Sequence, residues 1–150
     1  MEEIVNKKKN KALPRGLFVI YIFVMSYFLF WSDDRSVLST RMYNLEPFKE
    51  IKRFITYREQ IGIEAFIINV IGNVVAFMPF GFLIPMITKG KSGFFKTSAL
   101  CLLFTLMIES IQYIMRLGRF DVDDIIMNTA GGIAGYIIYA IWNRIHSTSK

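Results

Sequence analysis

The sequence contains one cysteine, Cys101, and one histidine, His146. A lone thiol excludes an internal disulfide framework and any cysteine-based zinc site. A lone imidazole close to the C-terminus removes histidine-rich metal sites and the ordinary pairing of a nucleophile with a histidine base, so Ser-His-Asp hydrolysis is ruled out. The 18 Lys and Arg against 12 Asp and Glu leave a net charge of +6, yet they form no basic stripe interleaved with aromatics on a polar background. Nucleic acid is therefore excluded as a partner. There is no internal repeat and no low-complexity segment.

What is present is hydrophobicity, gathered in blocks. Apolar residues make up 53% of the chain and the mean hydropathy is +0.39, above the apolar share of about 45–50% found in soluble domains. Charge-free runs extend over sixteen residues from Gly16 to Trp31, twenty-two from Phe66 to Ile87, twelve from Thr97 to Ile108 and eighteen from Ile125 to Trp142. A hydrocarbon core of about 30 Å is crossed by roughly 20 helical residues, so the second and fourth runs span by length alone. The third does so only if it extends from about Phe94 through Glu109 to Met115, which places one carboxyl group in the membrane. The first follows Lys7, Lys8, Lys9, Lys11 and Arg15 and ends in Phe28-Leu29-Phe30-Trp31 rather than a small-x-small cleavage site. It reads as an uncleaved anchor with an interfacial tryptophan. The expected fold is an all-α integral membrane bundle, a single domain over 1–150, with spans at about 14–31, 65–87, 94–115 and 124–142.

Between the first two spans, Pro47 can open a helix, and Phe48, Ile51, Phe54 and Ile55 recur at helical spacing beside Lys49, Lys52 and Arg53. This predicts an amphipathic helix over about 47–57, lying on the outer membrane surface. The polar flanks, Met1 to Ala12 and Ser147 to Lys150, are expected to fray.

Basic residues set the orientation. With both termini in the cytoplasm, the inner segments hold ten Lys and Arg, including the all-basic Lys89, Lys91 and Lys96 loop, and the longer outer segments hold eight. The outer stretch Ser32 to Ala65 balances six basic against six acidic residues. The positive-inside rule favours cytoplasmic ends.

That orientation brings polar side chains to a common depth. At about 1.5 Å per residue, Asn69, Asn73, Glu109 and Asn128 fall within roughly 5–10 Å of the outer boundary on three helices. Glu109, Gln112 and Arg116 form one helical stripe, and Asp121, Asp124 and Asn128 form another. The second stripe continues as Gly131, Gly132 and Gly135, a pattern that lets helix backbones approach closely, so this face is expected to meet protein rather than lipid. Met78-Pro79-Phe80-Gly81 is expected to kink the second span, its freed carbonyls satisfied inside the bundle.

An ionisable residue at membrane depth calls for a partner or a purpose, and the candidate ligand-binding set is Asn73, Glu109, Gln112, Arg119, Asp121, Asp124 and Asn128. Bland readings stand beside the functional one. Glu109 is either part of a site or a buried carboxyl that is protonated, or paired with Arg116 or Arg119, and holds helices together. Asp121, Asp123 and Asp124 either cap the fourth span, join an Arg–Asp network or offer oxygen ligands to a divalent cation. Arg119 is either a snorkelling anchor or a fork for a phosphate. Asn69 and Asn73 either glue helices together or touch a ligand. No cofactor and no resident metal are assigned.

Three segments in order resemble the VanZ-like family of membrane proteins. They are Tyr43-Asn44-Leu45-Glu46-Pro47-Phe48, the run from Asn69 to Pro85 with Gly72-Asn73 and Met78-Pro79-Phe80-Gly81, and Glu109-Ser110-Ile111-Gln112 followed by Arg119-Phe120-Asp121-Val122-Asp123-Asp124 and Asn128-Thr129-Ala130-Gly131-Gly132. The resemblance covers about Arg41 to Tyr139. It implies an integral membrane protein of mostly Gram-positive bacteria, in a family named for a member associated with teicoplanin resistance. The chain differs from that founding member in ending soon after the fourth span, without a further hydrophobic helix.

Three functions remain in view. The first is a binding protein whose outer-leaflet pocket, with Phe77, Phe80 and Phe82 lining an acyl slot, holds an amphiphile such as a membrane lipid, a lipid-linked cell-wall precursor or a lipoglycopeptide. The second is an enzyme acting on such a lipid through Glu109 and Asp121 or Asp124. The third is a packing subunit. One carboxyl at depth and no nucleophile with a matched base favour binding over chemistry. The oligomeric state is left open.

Overall fold

The computed structural model describes residues 2–31 and 38–148. The side chains of Lys7, Lys8, Lys9, Lys11 and Lys150, and residues Asp33, Asp34 and Arg35, all counted in the charge balance, lie outside what is described. The bundle is all-α, and four helices are long and apolar enough to cross a membrane: Ala12–Phe30, Ile63–Ile87, Phe94–Met115 and Val122–Ser147. They match the four expected spans.

The first, α1 (Glu2–Phe30), carries Pro14 within it and is helical from Glu2 onward, where the flank was expected to fray. After α1 come the two-residue strand β1 (Tyr43–Asn44) and the surface helix α2 (Lys49–Thr56). Single turns α3 (Arg58–Ile61) and α4 (Ile63–Phe66) and a π-helical turn over Ile67–Ile71 then lead into α5 (Gly72–Ile87). After the loop at 88–93, α6 (Phe94–Met115) returns, β2 (Phe120–Asp121) pairs in parallel with β1, and α7 (Val122–Thr148) completes the bundle, its helical backbone reaching Thr148 of the C-terminal flank also expected to fray.

Glycine sets the closest packing. A Cβ at Gly131 would lie 2.1 Å from the Val74 carbonyl oxygen, and one at Gly135 would lie 2.0 Å from that of Met78. The α5 and α7 backbones therefore touch along one stripe, as the small-residue spacing predicts. On its other side Gly132 receives Cys101 of α6, so α7 packs between α5 and α6. The α1 helix leans on α5, where Tyr21 donates to the Ala76 carbonyl at 3.0 Å. That carbonyl belongs to the turn before Pro79, where a proline disturbs the ladder, and the helix continues unbroken through both Pro79 and Pro85.

Phe80 stacks on Phe104 with ring centroids 4.6 Å apart, and Phe77, Met25 and Ile108 close the core beside them. Phe82 turns instead toward Tyr139 and Trp142. The expected acyl slot of Phe77, Phe80 and Phe82 is thus divided: two rings belong to the core, and the third joins an aromatic cluster of α7. Large apolar side chains such as Phe23, Phe28, Leu103 and Ile138 remain exposed on the helices, the surface that hydrocarbon would cover.

Candidate functional site

At one end of the bundle the helices meet a folded-over surface segment, and charged side chains fasten the two. Asp121 caps α7: its Oδ1 accepts from the Asp123 amide at 3.0 Å, the second helical position, as an N-cap side chain does. The same oxygen accepts from Asn44 Nδ2 of β1 at 3.0 Å. Its Oδ2 accepts from Arg119 Nε at 2.8 Å. Arg119 Nη2 reaches both Asp121 Oδ2 at 2.8 Å and Glu50 Oε2 at 2.9 Å, and Arg53 pairs with the same Glu50 oxygen at 2.8 Å. Burial works against the Arg119 charge, but the Glu50 ion pair and the Asp121 carboxylate outweigh it and hold the guanidinium pKa above its ordinary value. The phosphate fork suggested for Arg119 is accordingly already engaged by two carboxylates.

Asp123 caps a helix that is not its own. Its carboxylate accepts from the amides of Phe48, Glu50 at 2.7 Å and Ile51 at 3.2 Å, three donors at the start of α2. Phe48 adopts a left-handed backbone, φ 64°, which costs a non-glycine residue on the order of 1–2 kcal/mol. The cross-element cap holds it there. Of the readings open for the three aspartates, capping and the Arg–Asp network are what the geometry displays. Among the described residues, no group of three His, Cys, Asp or Glu is placed to hold a metal ion.

Below this fastening, single hydrogen bonds tie the spans together. Glu109, 3% exposed, accepts from the Asp121 amide at 3.1 Å. Asn73 of α5 donates to Asp124 of α7 at 2.7 Å, and Asn128 of α7 donates to Thr105 of α6 at 2.9 Å. Gln112 donates to the Leu29 carbonyl at 3.2 Å, one of the last four carbonyls of α1, which the helix itself leaves unpaired.

Between these ties lies a cavity of about 270 Å³. Asn73, Glu109, Gln112, Arg119, Asp124 and Asn128 line its polar side, while Met25, Phe28, Leu29, Ala76 and Phe77 line its apolar side. Six of the seven candidate residues therefore converge, and Asp121 stands behind Arg119 as its anchor. The other end of the Asn128 amide is buried without a partner among the described residues: Oδ1 accepts no hydrogen bond from them, and the residue is 4% exposed. An apolar groove between α1 and α6 adjoins the cavity and shares Met25 and Leu29 with it.

Asn69 does not join them. Its side chain is exposed and bonds to the Ala65 carbonyl at 2.8 Å. The π-helical turn over Ile67–Ile71 adds to the residues per turn, so the four-residue spacing to Asn73 no longer means a shared face. The predicted surface helix starts at Lys49 rather than Pro47 and buries Glu50 together with Phe54. Glu50, Asn44 and Thr105 are polar contributors that spacing did not single out. Glu50 lies four residues before Phe54 and so shares its buried face, a signal present in the periodicity.

Four membrane-length helices closed over a buried polar cavity define a multi-pass α-helical membrane protein. The family profile described as VanZ/LLP1 matches residues 18–143. Protein VanZ of Enterococcus faecium is 32% identical over 146 residues, covering 94% of this chain and 81% of that relative. The chain belongs to the VanZ-like family. No solved structure matches it.

Proposed function

We propose that this protein binds an amphiphile, a membrane lipid, a lipid-linked cell-wall precursor or a lipoglycopeptide, with the polar head in the cavity and the tail along the α1–α6 groove. The observation that carries the reading is the convergence of six polar residues from α5, α6, α7 and the α6–α7 connection on one cavity whose remaining wall is apolar. A ligand with one polar and one apolar end fits such a wall on both sides. The Asp121 and Asp123 oxygens already accept from protein donors, which supports binding over chemistry at this site. Both termini lie in the cytoplasm in this reading and the cavity opens to the outer leaflet, supported by the basic Lys89, Lys91 and Lys96 loop. The resemblance to a family named for a resistance protein supports a role in tolerance to glycopeptide antibiotics.

The test is native mass spectrometry of the purified protein and of two variants. Gln112→Ala removes a polar wall, and Met25→Trp fills the cavity from the apolar side. Both variants are expected to insert normally and to lose a lipid that the wild type retains. Retention equal to wild type in both inserted variants sinks the binding reading and leaves a packing subunit in its place.

A further inference from the structure

The charge around the cavity is unbalanced toward acid. Three charged residues line it, Glu109 and Asp124 against Arg119. Among the described residues, Arg119 is bonded to Glu50 and Asp121, and Glu50 also to Arg53. Four carboxyl groups thus stand against two guanidiniums, and the guanidinium that reaches the cavity is already paired twice. An anionic head would have to displace Glu50 or Asp121 from Arg119 and would meet the remaining carboxylates at close range, where like charges repel strongly in a poorly hydrated site.

A second, independent feature points the same way. The unpartnered end of the Asn128 amide is nine-tenths buried and belongs to the cavity wall. As placed, Nδ2 donates to Thr105 and the carbonyl oxygen is left to accept. The apolar wall adds the aromatic side chains of Phe28 and Phe77, a residue type that attracts cations. Carboxylates, a carbonyl acceptor and aromatic side chains around a space of about 270 Å³ are the components of a cage for an ammonium group. The volume is at the small end of ligand pockets, suited to one compact head rather than an oligosaccharide.

We propose that the cavity selects amphiphiles whose head carries an amine in its ammonium form. The proposal rests on the amphiphile-binding reading and names the head that it takes. Such a head reaches the site either as a resident aminolipid of the host membrane or as an added cationic amphiphile, and one experiment separates the two. Wild-type protein in dodecyl maltoside is titrated with dodecylamine and, separately, with dodecyl phosphate, which share one tail, and each affinity is read by displacement of a fluorescent amphiphile. The protein's net charge of +6 pulls non-specific binding toward the anion, so a preference for the amine reports the site. Dodecylamine is expected to bind at least tenfold more tightly, and Glu109→Gln is expected to remove most of that margin. Because the head comparison uses the wild type, it stands whether or not the variant folds. Dodecyl phosphate binding as well as or better than the amine overturns the ammonium proposal and leaves amphiphile binding intact. Displacement by neither compound overturns both. Native mass spectrometry before titration assigns the source: an aminolipid carried from the membrane marks a resident ligand, and an empty site that the amine fills marks an added one.

Discussion

Replacing Arg119 with Gln removes a cation that joins the surface segment to the bundle through Glu50 and Asp121. In the folded protein Arg119 bonds Asp121, whose side chain is 1% exposed, and Glu50, whose side chain is 9% exposed. Breaking a fully buried ion pair by removing one partner costs about 3–5 kcal/mol. Here the cost is smaller. Arg119 keeps 33% of its side-chain surface, Glu50 retains Arg53, and Asp121 retains Asn44 and the Asp123 amide. The expected loss for Arg119→Gln is about 2 kcal/mol. At roughly 2–4 °C per kcal/mol for a chain of this size, that is a fall in Tm of about 4–8 °C in detergent. Glu50→Gln alone leaves two partly hydrated arginines and costs about 1 kcal/mol. In the double variant neither charge is stranded, so its loss falls short of the sum by about 1 kcal/mol. Strict additivity, or an Arg119→Gln protein melting within about 1 °C of wild type, refutes the network as a stabilising element.

Alanine at Gly135 or Gly131 places a Cβ within 2.1 Å of an α5 carbonyl, so each variant should separate α5 from α7, lose several degrees of Tm and insert poorly, whereas Gly93→Ala, with nothing within 4 Å, serves as the neutral control. Asp123→Ala strips three acceptor contacts from the start of α2; hydrogen exchange at the Phe48, Glu50 and Ile51 amides should rise at least tenfold while the spans stay protected, and unchanged exchange there means the cap is idle. Topology is read by impermeant thiol labelling of intact cells in a Cys101→Ser background with single cysteines at Ser39, Lys91 and Ser147. Only position 39 should react, and strong labelling at position 91 inverts the orientation. Lys91 is used because Ser92 beside it is 1% exposed and hidden from reagent.

Length and hydropathy carry the four spans because a bilayer imposes a run of about 20 apolar residues whatever the tertiary packing. The glycine stripe was legible for a similar reason: Gly131 and Gly135 four residues apart define a narrow helix face before any partner is known. The depth argument placed Asn73, Glu109 and Asn128 together correctly because three regular helices share one rise per residue. It failed at Asn69, where a π-helical turn breaks the regularity that the argument assumes. The fastening of the surface segment was largely hidden. Asn44, Glu50 and Asp123 are separated by up to 79 residues in sequence, and their contacts depend on how β1 docks beside β2 and how α2 turns across the start of α7. No local period encodes that closure. Of the three phenylalanines expected to line an acyl slot, Phe77 does line the cavity while Phe80 stacks on Phe104 and Phe82 joins Tyr139 and Trp142, since an apolar side chain in a membrane helix suits core, groove and lipid equally well.

The most direct measurement of the central claim is to map where an amphiphile touches the protein. A twelve-carbon amine carrying a diazirine next to its head group is photolysed with the protein in dodecyl maltoside, and the labelled peptides are sequenced by mass spectrometry. Binding in the cavity predicts label on Met25, Phe28 and Leu29 of α1 and on Asn73, Ala76 and Phe77 of α5, which belong to its wall, competed away by excess unlabelled amine. Label confined to outward-facing positions such as Ile137, Ile138 and Ile141, and unaffected by competitor, contradicts it.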